Sequence, residues 1–396
     1  MVYQPPVGAR DLFPLDVAQK RWIEDRLQQV FHGWGYHRII TSTLERLDTL
    51  MAGGAVQPAT VIQLQDRAGE FVGLRPELTA SIARAAITRL TAASYPQRLY
   101  YTANVFRRAS RDQHEFYQAG VELLGAGTVA ADAEILLLLF EGLHRLGLQN
   151  STVILGEAGL TRSLLSVFPE GLRTQVRQAI VRLDRLALEA LSLSPELRER
   201  ARLLLDLRGQ PADVLQQVAQ LDLEPEQQQV VNRLKSLIEL LQTADWAPPL
   251  VLDLSLVQTF DYYTGIVFEA VSDQRVVGQG GRYDQLLGLY HPRGESQPGI
   301  GFVLNIEELH QVLLPTGCLP AQTPPSDWLV VPTEPNAQAA AFAYASKIRE
   351  SAHLVRVEVE LSDRSPEELR THARQRQIKQ LVWVDAAGTP QVESLV

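Results

Sequence analysis

Cysteine is almost absent from this chain of 396 residues, in which Cys318 stands alone. A single thiol can form neither an internal disulfide nor a cysteine-based zinc cage, so nothing indicates an oxidising compartment. No basic cluster precedes an apolar stretch near the start, and no apolar run approaches the roughly 18 residues of a membrane helix. We therefore expect a cytoplasmic protein that has neither a secretory signal nor a membrane helix.

Positive charge is also scarce, because 37 Lys and Arg residues face 46 Asp and Glu residues, for a formal net charge of −9. Nucleic-acid binding draws on an excess of Lys and Arg, so the overall charge does not favour it, although an acidic protein can carry a local basic groove. The eight histidines show no metal-ligand spacing, and Ser, His and Asp form no nucleophile motif. We predict no metal ion and no cofactor.

The patterns that are present divide the chain into three regions. Residues 1–158 and 246–314 mix helical and strand periodicity, whereas 159–245 are rich in Leu, Arg, Gln and Glu at helical spacing. Residues 327–396 follow a proline-containing linker and alternate strand and helix, which favours a small, mostly parallel α/β module. We predict one domain from the first two ranges, a helical insertion over 159–245, and a separate domain over 327–396.

Several local elements follow from the same patterns. Apolar spacing predicts a helix over about 17–31 and another near 306–313. Two strands near 98–107 and 115–124, joined by a short polar loop, indicate an antiparallel hairpin. Three glycines, Gly278, Gly280 and Gly281, stand close together without the spacing of a Rossmann or phosphate-binding loop, and we predict a turn there.

Four clusters of polar residues suggest a site for a small zwitterion. They are RPELT at 75–79, FRR at 106–108 with Gln118 and Glu122, DYYTG at 261–265, and GGRYD at 280–284. Gln118 and Glu122 are four residues apart in a predicted strand, so they point to one face. Carboxylates would accept hydrogen bonds from an ammonium or imidazole group, an arginine would bind a carboxylate, and tyrosines would form walls with a polar tip.

Each cluster also has a purely structural interpretation. Glu77 could stabilise a helix N-terminus, and Tyr262 and Tyr263 could belong to the core. Arg107 could lie on a solvated edge of the hairpin. Taken singly, these clusters identify no function.

In their order along the chain, the clusters resemble histidyl-tRNA synthetase. The matching segments are VGARD at 7–11, LRPELTA at 74–80, FR at 106–107, QAGVE at 118–122, DYYTGIVFE at 261–269 and GGRYD at 280–284. The resemblance implies an α+β fold: a class II aminoacyl-tRNA synthetase-like antiparallel sheet flanked by helices, with a helical insertion. It also implies dimers formed through the N-terminal part and, more weakly, a truncated anticodon-binding-like domain after residue 327.

The same resemblance implies a histidine pocket with assigned roles. Glu77, Thr79 and Gln118 would hold the α-ammonium group of the ligand. Glu122 and Tyr263 would contact the imidazole nitrogens, and Arg107 would lie near the carboxylate. The remaining residues that we assign to histidine binding are Tyr262 and Tyr283, which would line the pocket.

Departures from the enzyme are concentrated where ATP would react. Gln258 occupies the position of an arginine that stabilises charge as the histidine carboxylate attacks the α-phosphate. Glu308 occupies the position of a second arginine, and an anion there should repel a triphosphate. The loop after Arg107 is shortened, with Ala109 in place of a glutamate. The pattern indicates that a histidine-binding shell is kept while ATP use and tRNA docking are lost.

That combination is similar to the regulatory subunits of ATP phosphoribosyltransferase, which are non-catalytic relatives of histidyl-tRNA synthetase. The resemblance implies a short catalytic chain as partner, a homodimer within a hetero-oligomer, and feedback inhibition by histidine of the first step of histidine biosynthesis. It implies no membrane contact and argues against nucleic acid. The alternatives are a working histidyl-tRNA synthetase, which Gln258 and Glu308 disfavour, and a non-catalytic tRNA-binding paralogue, which the acidic balance disfavours.

Overall fold

The computed structural model describes residues 4–54, 56–90, 95–108, 113–244, 247–256, 262–351, 354–362 and 364–395. The chain forms two compact units, Met1–Leu319 and Pro320–Val396.

The first unit is built on a large sheet whose strands come from distant parts of the chain. Its strands, with those of a small accompanying sheet, are β1 (His37–Arg38), β2 (Leu44–Arg46), β3 (Gln63–Gln65), β4 (Phe71–Leu74), β5 (Gln97–Phe106), β6 (Glu115–Leu124), β7 (Ser151–Glu157), β8 (Arg208–Gly209), β9 (Leu250–Asp253), β10 (Ile266–Ser272), β11 (Arg275–Arg282) and β12 (Gly299–Asn305). The nine-stranded order is β1-β5-β6-β12-β11-β10-β7-β9-β8, and β2-β4-β3 form the small sheet. Six of the eight pairings in the large sheet are antiparallel, while β1–β5 and β7–β9 are parallel. The predicted fold class is confirmed.

Helices cover both faces of the large sheet. They are α1 (Pro14–Gly33), α2 (Leu47–Met51), α3 (Thr79–Arg89), α4 (Val129–Arg145), α5 (Ala158–Leu165), α6 (Glu170–Val181), α7 (Arg185–Glu189), α8 (Pro195–Asp206), α9 (Pro211–Val218), α10 (Pro225–Leu241) and α11 (Ile306–Leu313). Helix α11 coincides with its prediction, and it begins where the Asn305 side chain accepts hydrogen bonds from the first-turn amides. One face of the sheet packs against α1, α4, α10 and α11 and forms the main core. The opposite face packs against α3.

Strands β5 and β6 form the predicted antiparallel hairpin, with Leu99 opposite Glu122 and Ala103 opposite Gln118. Side chains of a strand alternate between the two faces of a sheet. Val121 therefore joins the main core, whereas Gln118 and Glu122 face the side of α3. The prediction that these two residues share a face is confirmed.

The prediction of a turn at the glycine-rich stretch is wrong, because Gly278–Gly281 lie inside strand β11. The physical reason is close approach rather than backbone freedom. A Cβ at Gly281 would lie 2.7 Å from the Tyr263 ring, and one at Gly301 on the neighbouring strand would collide with the Glu122 carboxylate. These glycines thus leave room for polar and aromatic side chains directly above the sheet.

The second unit is a four-stranded sheet with two helices. Its elements are β13 (Trp328–Pro332), α12 (Gln338–Ser351), β14 (Val357–Val359), α13 (Pro366–Gln375), β15 (Gln380–Val384) and β16 (Pro390–Ser394). The order is β14-β13-β15-β16, parallel except for the last pair. The mostly parallel α/β prediction is confirmed, but strand β16 does not follow from the sequence, because only Val392 in it is apolar apart from the initial proline.

Candidate functional site

A pocket of about 380 Å³, its open mouth included, lies on the α3 face of the large sheet. Strands β5, β6, β11 and β12 form its floor, and the start of α3 and the segment before β10 form its walls. The lining residues are Glu77, Leu78, Thr79, Tyr101, Arg107, Gln118, Glu122, Tyr262, Tyr263, Gln279, Tyr283, Gly301, Phe302 and Val303. All eight side chains selected from the sequence are in this set, so four separate motifs converge on one cavity.

Glu122 lies at the floor of this pocket and is only 2% exposed. The Thr79 hydroxyl donates to Oε1 at 2.8 Å, and the Tyr283 hydroxyl donates to Oε2. Burial raises the pKa of Glu122 to about 8, and the negative charge of Glu77 adds to this, although the two hydroxyl donors oppose it. The carboxyl group is therefore more often protonated than ionised at neutral pH.

This raised pKa predicts a pH-dependent stability. The pKa of Glu122 in the folded state lies above its unfolded value near 4.5. Its contribution to the stability of the folded state is therefore complete below about pH 4.5 and is lost as the pH rises through about 8. Glu122 alone should lower the free energy of unfolding by about 1.4 kcal/mol per pH unit within that window. Denaturant unfolding at about pH 5.5 and about pH 8 should show a larger loss in the wild type than in Glu122→Gln, which cannot ionise.

The matched control is Glu239→Gln, because Glu239 is exposed on α10 and should keep the wild-type pH dependence. Identical slopes in the wild type and Glu122→Gln would contradict the burial of an ionisable group at this position.

Glu77 serves two purposes at the start of α3. Its Oε1 accepts a hydrogen bond from the Ala80 amide at 2.9 Å, which is the structural role considered above. Its Oε2 is buried and has no hydrogen-bond partner among the described residues. Burial raises the pKa of Glu77, while donors in the first turn and the charge of Arg107 oppose the shift. One oxygen therefore caps the helix, and the other has an unfilled capacity to accept a hydrogen bond.

Arg107 is the sole basic side chain among the described residues that line the pocket. It is not on a solvated edge: it is partly buried, its Nε donates to the Pro76 carbonyl at 2.9 Å, and its guanidinium lies 5.9 Å from the Phe116 ring centroid. Burial lowers its pKa, and nearby Glu77 opposes that shift. The pocket therefore combines two buried carboxyl groups with one guanidinium.

Aromatic rings close the pocket. Tyr262 packs edge-on against Tyr263 and Tyr283, with ring centroids 4.9 and 6.0 Å away. Burial raises the pKa of all three phenols, so each keeps its hydroxyl proton at neutral pH and can donate a hydrogen bond. The tyrosines lie before β10 and after β11, and they are both core residues and pocket walls.

Sequence reasoning does not identify two polar residues of the lining, Tyr101 and Gln279. Tyr101 stands opposite Gly120 in the β5–β6 register, and its ring approaches the space that a side chain at Gly120 would fill. Gln279 lies within the glycine-rich stretch predicted to be a turn. Strand alternation would have revealed both, but only once the register was known.

Of the positions where the sequence departs from the enzyme's ATP site, the structure describes Glu308 but not Gln258. Glu308 lies in the first turn of α11 and pairs with Arg275 at 2.8 Å. Its neighbour Glu307 accepts hydrogen bonds from the Tyr117 amide at 3.0 and 3.1 Å. Gln258 and residues 109–112 of the hairpin loop lie outside the described residues.

Neither a metal centre nor a membrane span emerges from the described part of the chain. Within the ranges given above, no three His, Cys, Asp or Glu side chains form a group that could hold a metal ion. No helix there is both long and apolar enough to cross a membrane.

Comparison with known proteins places the chain in a family. The family model described as Histidyl-tRNA synthetase matches residues 8–309. The chain is 63% identical over 403 residues to the ATP phosphoribosyltransferase regulatory subunit of Nostoc sp. (strain PCC 7120) and 58% identical over 405 residues to that of Microcystis aeruginosa, covering 100% of both chains in each case.

Solved structures agree with this assignment. An ATP phosphoribosyltransferase regulatory subunit/histidyl-tRNA synthetase from Bacillus halodurans superposes with a TM-score of 0.83 at 27% identity, covering 97% of this chain and 99% of that one. A histidyl-tRNA synthetase from Nostoc sp. PCC 7120 shares the fold, with a TM-score of 0.81 at 20% identity, covering 99% of this chain and 97% of that one. The chain therefore belongs to the family of ATP phosphoribosyltransferase regulatory subunits, which share the histidyl-tRNA synthetase fold.

Proposed function

We propose that this chain binds free histidine in the pocket on the α3 face and transmits its presence to a separate, short ATP phosphoribosyltransferase catalytic chain. The catalytic chain depends on this subunit for activity, and histidine inhibits the assembly that they form. The family assignment supports the regulatory role. The observation that carries the choice of ligand is the combination of buried Glu77, buried Glu122 and a single guanidinium in one small pocket.

The polar groups of the pocket match those of histidine one by one. The spare Oε2 of Glu77, with Thr79 and Gln118, accepts hydrogen bonds from the α-ammonium group. Arg107 binds the α-carboxylate, because a guanidinium donates to both carboxylate oxygens. An apolar side chain could make no hydrogen bond with the Glu122 carboxyl, which would then keep only the Thr79 and Tyr283 hydroxyls as donors.

The imidazole ring accounts for the rest of the pocket. Glu122 and the Tyr263 hydroxyl form hydrogen bonds with the two imidazole nitrogens. Both residues are buried, Glu122 in the floor of the cavity and Tyr263 in its wall. Tyr262 and Tyr283 supply the flat faces against which the ring packs.

In this proposal the chain itself carries out no chemistry and acts as a homodimer within a hetero-oligomer in the cytoplasm. The synthetase-like domain comprises residues 1–158 and 246–314, the helical insertion 159–245, and the small C-terminal domain 327–396. Charge complementarity with ATP is reduced where a catalytic enzyme needs it, since Glu308 is an anion already paired with Arg275.

Reconstitution tests the proposal. Mixed with the short catalytic chain of the same genome, this protein should be required for the joining of ATP to phosphoribosyl pyrophosphate, and histidine should inhibit that turnover. Glu77→Gln should raise the inhibitory histidine concentration about tenfold, because it removes the negative charge next to the ligand ammonium. The measurement is the rate of product formation across a histidine titration.

The matched control is a complex built with Glu239→Gln, which changes an exposed glutamate outside the pocket and should be inhibited like the wild type. Turnover that does not need this chain would refute the regulatory role. Unchanged inhibition in Glu77→Gln would refute the pocket as the place where histidine is sensed.

A further inference from the structure

The face of the sheet opposite the histidine pocket carries a buried ion network. Arg282 is 3% exposed; its Nε and Nη2 donate to Asp132 at 2.8 and 2.5 Å, and its Nη1 donates to Asp284 at 2.8 Å. Both nitrogens of the guanidinium terminus also lie 3.2 Å from the Ala126 carbonyl. The Asp132 side chain is itself buried, at the N-terminal end of α4. A buried pair held by this many hydrogen bonds is rigid, since removing one partner would leave an uncompensated charge.

This network is joined through the backbone to two walls of the histidine pocket. Residues adjacent along a strand point to opposite faces, so Tyr283 faces the pocket while Arg282 points away from it. The Arg282 carbonyl accepts a hydrogen bond from the Thr264 amide at 2.7 Å, and the Thr264 hydroxyl accepts one from the Asp284 amide at 2.9 Å. Thr264 follows Tyr263 directly. The network therefore positions the backbone of both tyrosines.

The helices that follow β7 reach the same network. Arg233 of α10 donates to the Gly127 carbonyl at 3.1 Å and lies 3.8 Å from Asp132. Arg162 of α5 donates to the Tyr263 carbonyl at 2.9 Å. Helices α10 and α5 are joined by a hydrogen bond from Gln227 to the Ser163 hydroxyl at 2.7 Å. Helix α5 thus holds the backbone of a pocket residue directly, whereas α10 reaches the network through Asp132.

The contact between α10 and the sheet is not filled. A cavity of about 530 Å³, open to solvent on one side, separates the helix from the beginning of β10 and the end of β11. Its walls include Val230 and Leu234 of α10 and the carboxyl groups of Glu157 and Asp284. The buried leucines of α10 pack in the main core, but on the side of this gap the helix lacks the close packing against the sheet that would hold it in one position.

We propose that histidine binding in the pocket and packing of α10 against the sheet are energetically linked. The link runs through the ion pairs that join Arg233 to Asp132 and Asp132 to Arg282. The inference rests on the proposed function, because it concerns how the bound ligand is reported to the rest of the molecule. Bound histidine favours one position of Tyr263 and Tyr283. In that position the Arg282–Asp132 pair is oriented so that Asp132 can pair with Arg233 of α10. Linkage is reciprocal, so whatever strengthens α10 docking also strengthens histidine binding.

The test uses Arg233→Met in the full chain, because the side chain is 53% exposed, lies outside the pocket, and keeps most of its apolar length on substitution. The dissociation constant for histidine, measured by calorimetry, should rise about 3- to 30-fold. Hydrogen exchange followed by mass spectrometry should show that histidine slows amide exchange in α10 of the wild type, and that this protection is lost in Arg233→Met. The control Lys235→Met removes a positive charge from the exposed side of the same helix and should behave like the wild type.

The outcomes separate the two proposals. If the wild type does not bind histidine, the proposed function fails, and this inference fails with it. If the wild type binds histidine while α10 exchange is unaffected and Arg233→Met binds equally well, the link is refuted and the proposed function stands. If Arg233→Met does not fold, amide exchange in α10 of the wild type is the deciding measurement. Slower exchange when histidine is bound on the opposite face of the sheet supports the link, and unchanged exchange overturns it.

Discussion

Histidine-dependent exchange of pyrophosphate into ATP by the isolated chain is expected to be at least about 10⁴-fold slower than in a histidyl-tRNA synthetase. Removing one preorganised positive partner of a developing charge typically costs roughly 10² to 10³ in rate. By the resemblance to that enzyme, Gln258 and Glu308 stand where two such partners would lie. Since the two act on different parts of the nucleotide, their effects should multiply.

Glu308 should account for the larger part of the loss in exchange rate, because it replaces a positive charge with a negative one. Its carboxylate pairs with Arg275 at 2.8 Å, so the nearest guanidinium is already neutralised and is less available to a phosphate. Its neighbour Glu307, which accepts hydrogen bonds from the Tyr117 amide, adds no positive charge to the same turn of α11.

The measurement is exchange of labelled pyrophosphate with histidine and ATP, with a histidyl-tRNA synthetase assayed in parallel as the positive control. Calorimetric binding of histidine to the same preparation shows that its pocket is intact. Exchange at the rate of the synthetase would establish that the chain activates histidine, and it would overturn the proposal that the chain carries out no chemistry.

Replacing Glu122 with Ala should weaken histidine binding by about 5- to 150-fold. The substitution leaves an imidazole N–H without a partner in a buried site, which costs about 1–3 kcal/mol. It also removes the acceptor of the Thr79 and Tyr283 hydroxyls, so the pocket loses the group around which its floor is organised. Calorimetric titration at fixed pH gives the dissociation constants directly.

Two further variants separate the ligand contact from a general disturbance. Glu122→Gln keeps the size of the side chain and one acceptor oxygen, so it should bind histidine more tightly than Glu122→Ala and more weakly than the wild type. Glu239→Ala, on the exposed side of α10, should not change the affinity. Equal affinity in the wild type and Glu122→Ala would show that Glu122 does not contact the ligand.

Much of the fold follows from local patterns. The hairpin β5–β6 follows from two strand-like runs around a polar loop. The spacing of three and then four residues between Leu234, Leu237 and Leu241 marks the buried side of α10. The failures occur where a residue's local pattern conflicts with its tertiary role. Gly281 has the pattern of a turn but is needed in a strand, because the Tyr263 ring occupies the space of its missing side chain.

The candidate site divides in the same way. Glu77, Glu122 and Arg107 are identified from the sequence by chemical type and by order along the chain. Tyr101 is not, because a tyrosine in an apolar strand is indistinguishable from a core residue until its partner across the hairpin is known to be Gly120. The network around Arg282 is likewise invisible, since Asp132 lies 150 positions away in the sequence.

The sequence by itself determined which chemical groups this protein possesses, where some of its helices and strands run, among them α11 and the β5–β6 hairpin, and which family motifs it keeps or has lost. Only the tertiary structure decided that Glu77 and Glu122 lie in one cavity, that burial raises the pKa of Glu122 to about 8, and that Arg282 holds the same strands from the opposite face. The physical reason is that periodicity and motif order are local properties of the chain. Proximity and desolvation, in contrast, arise only when strands from distant segments pair in a particular register.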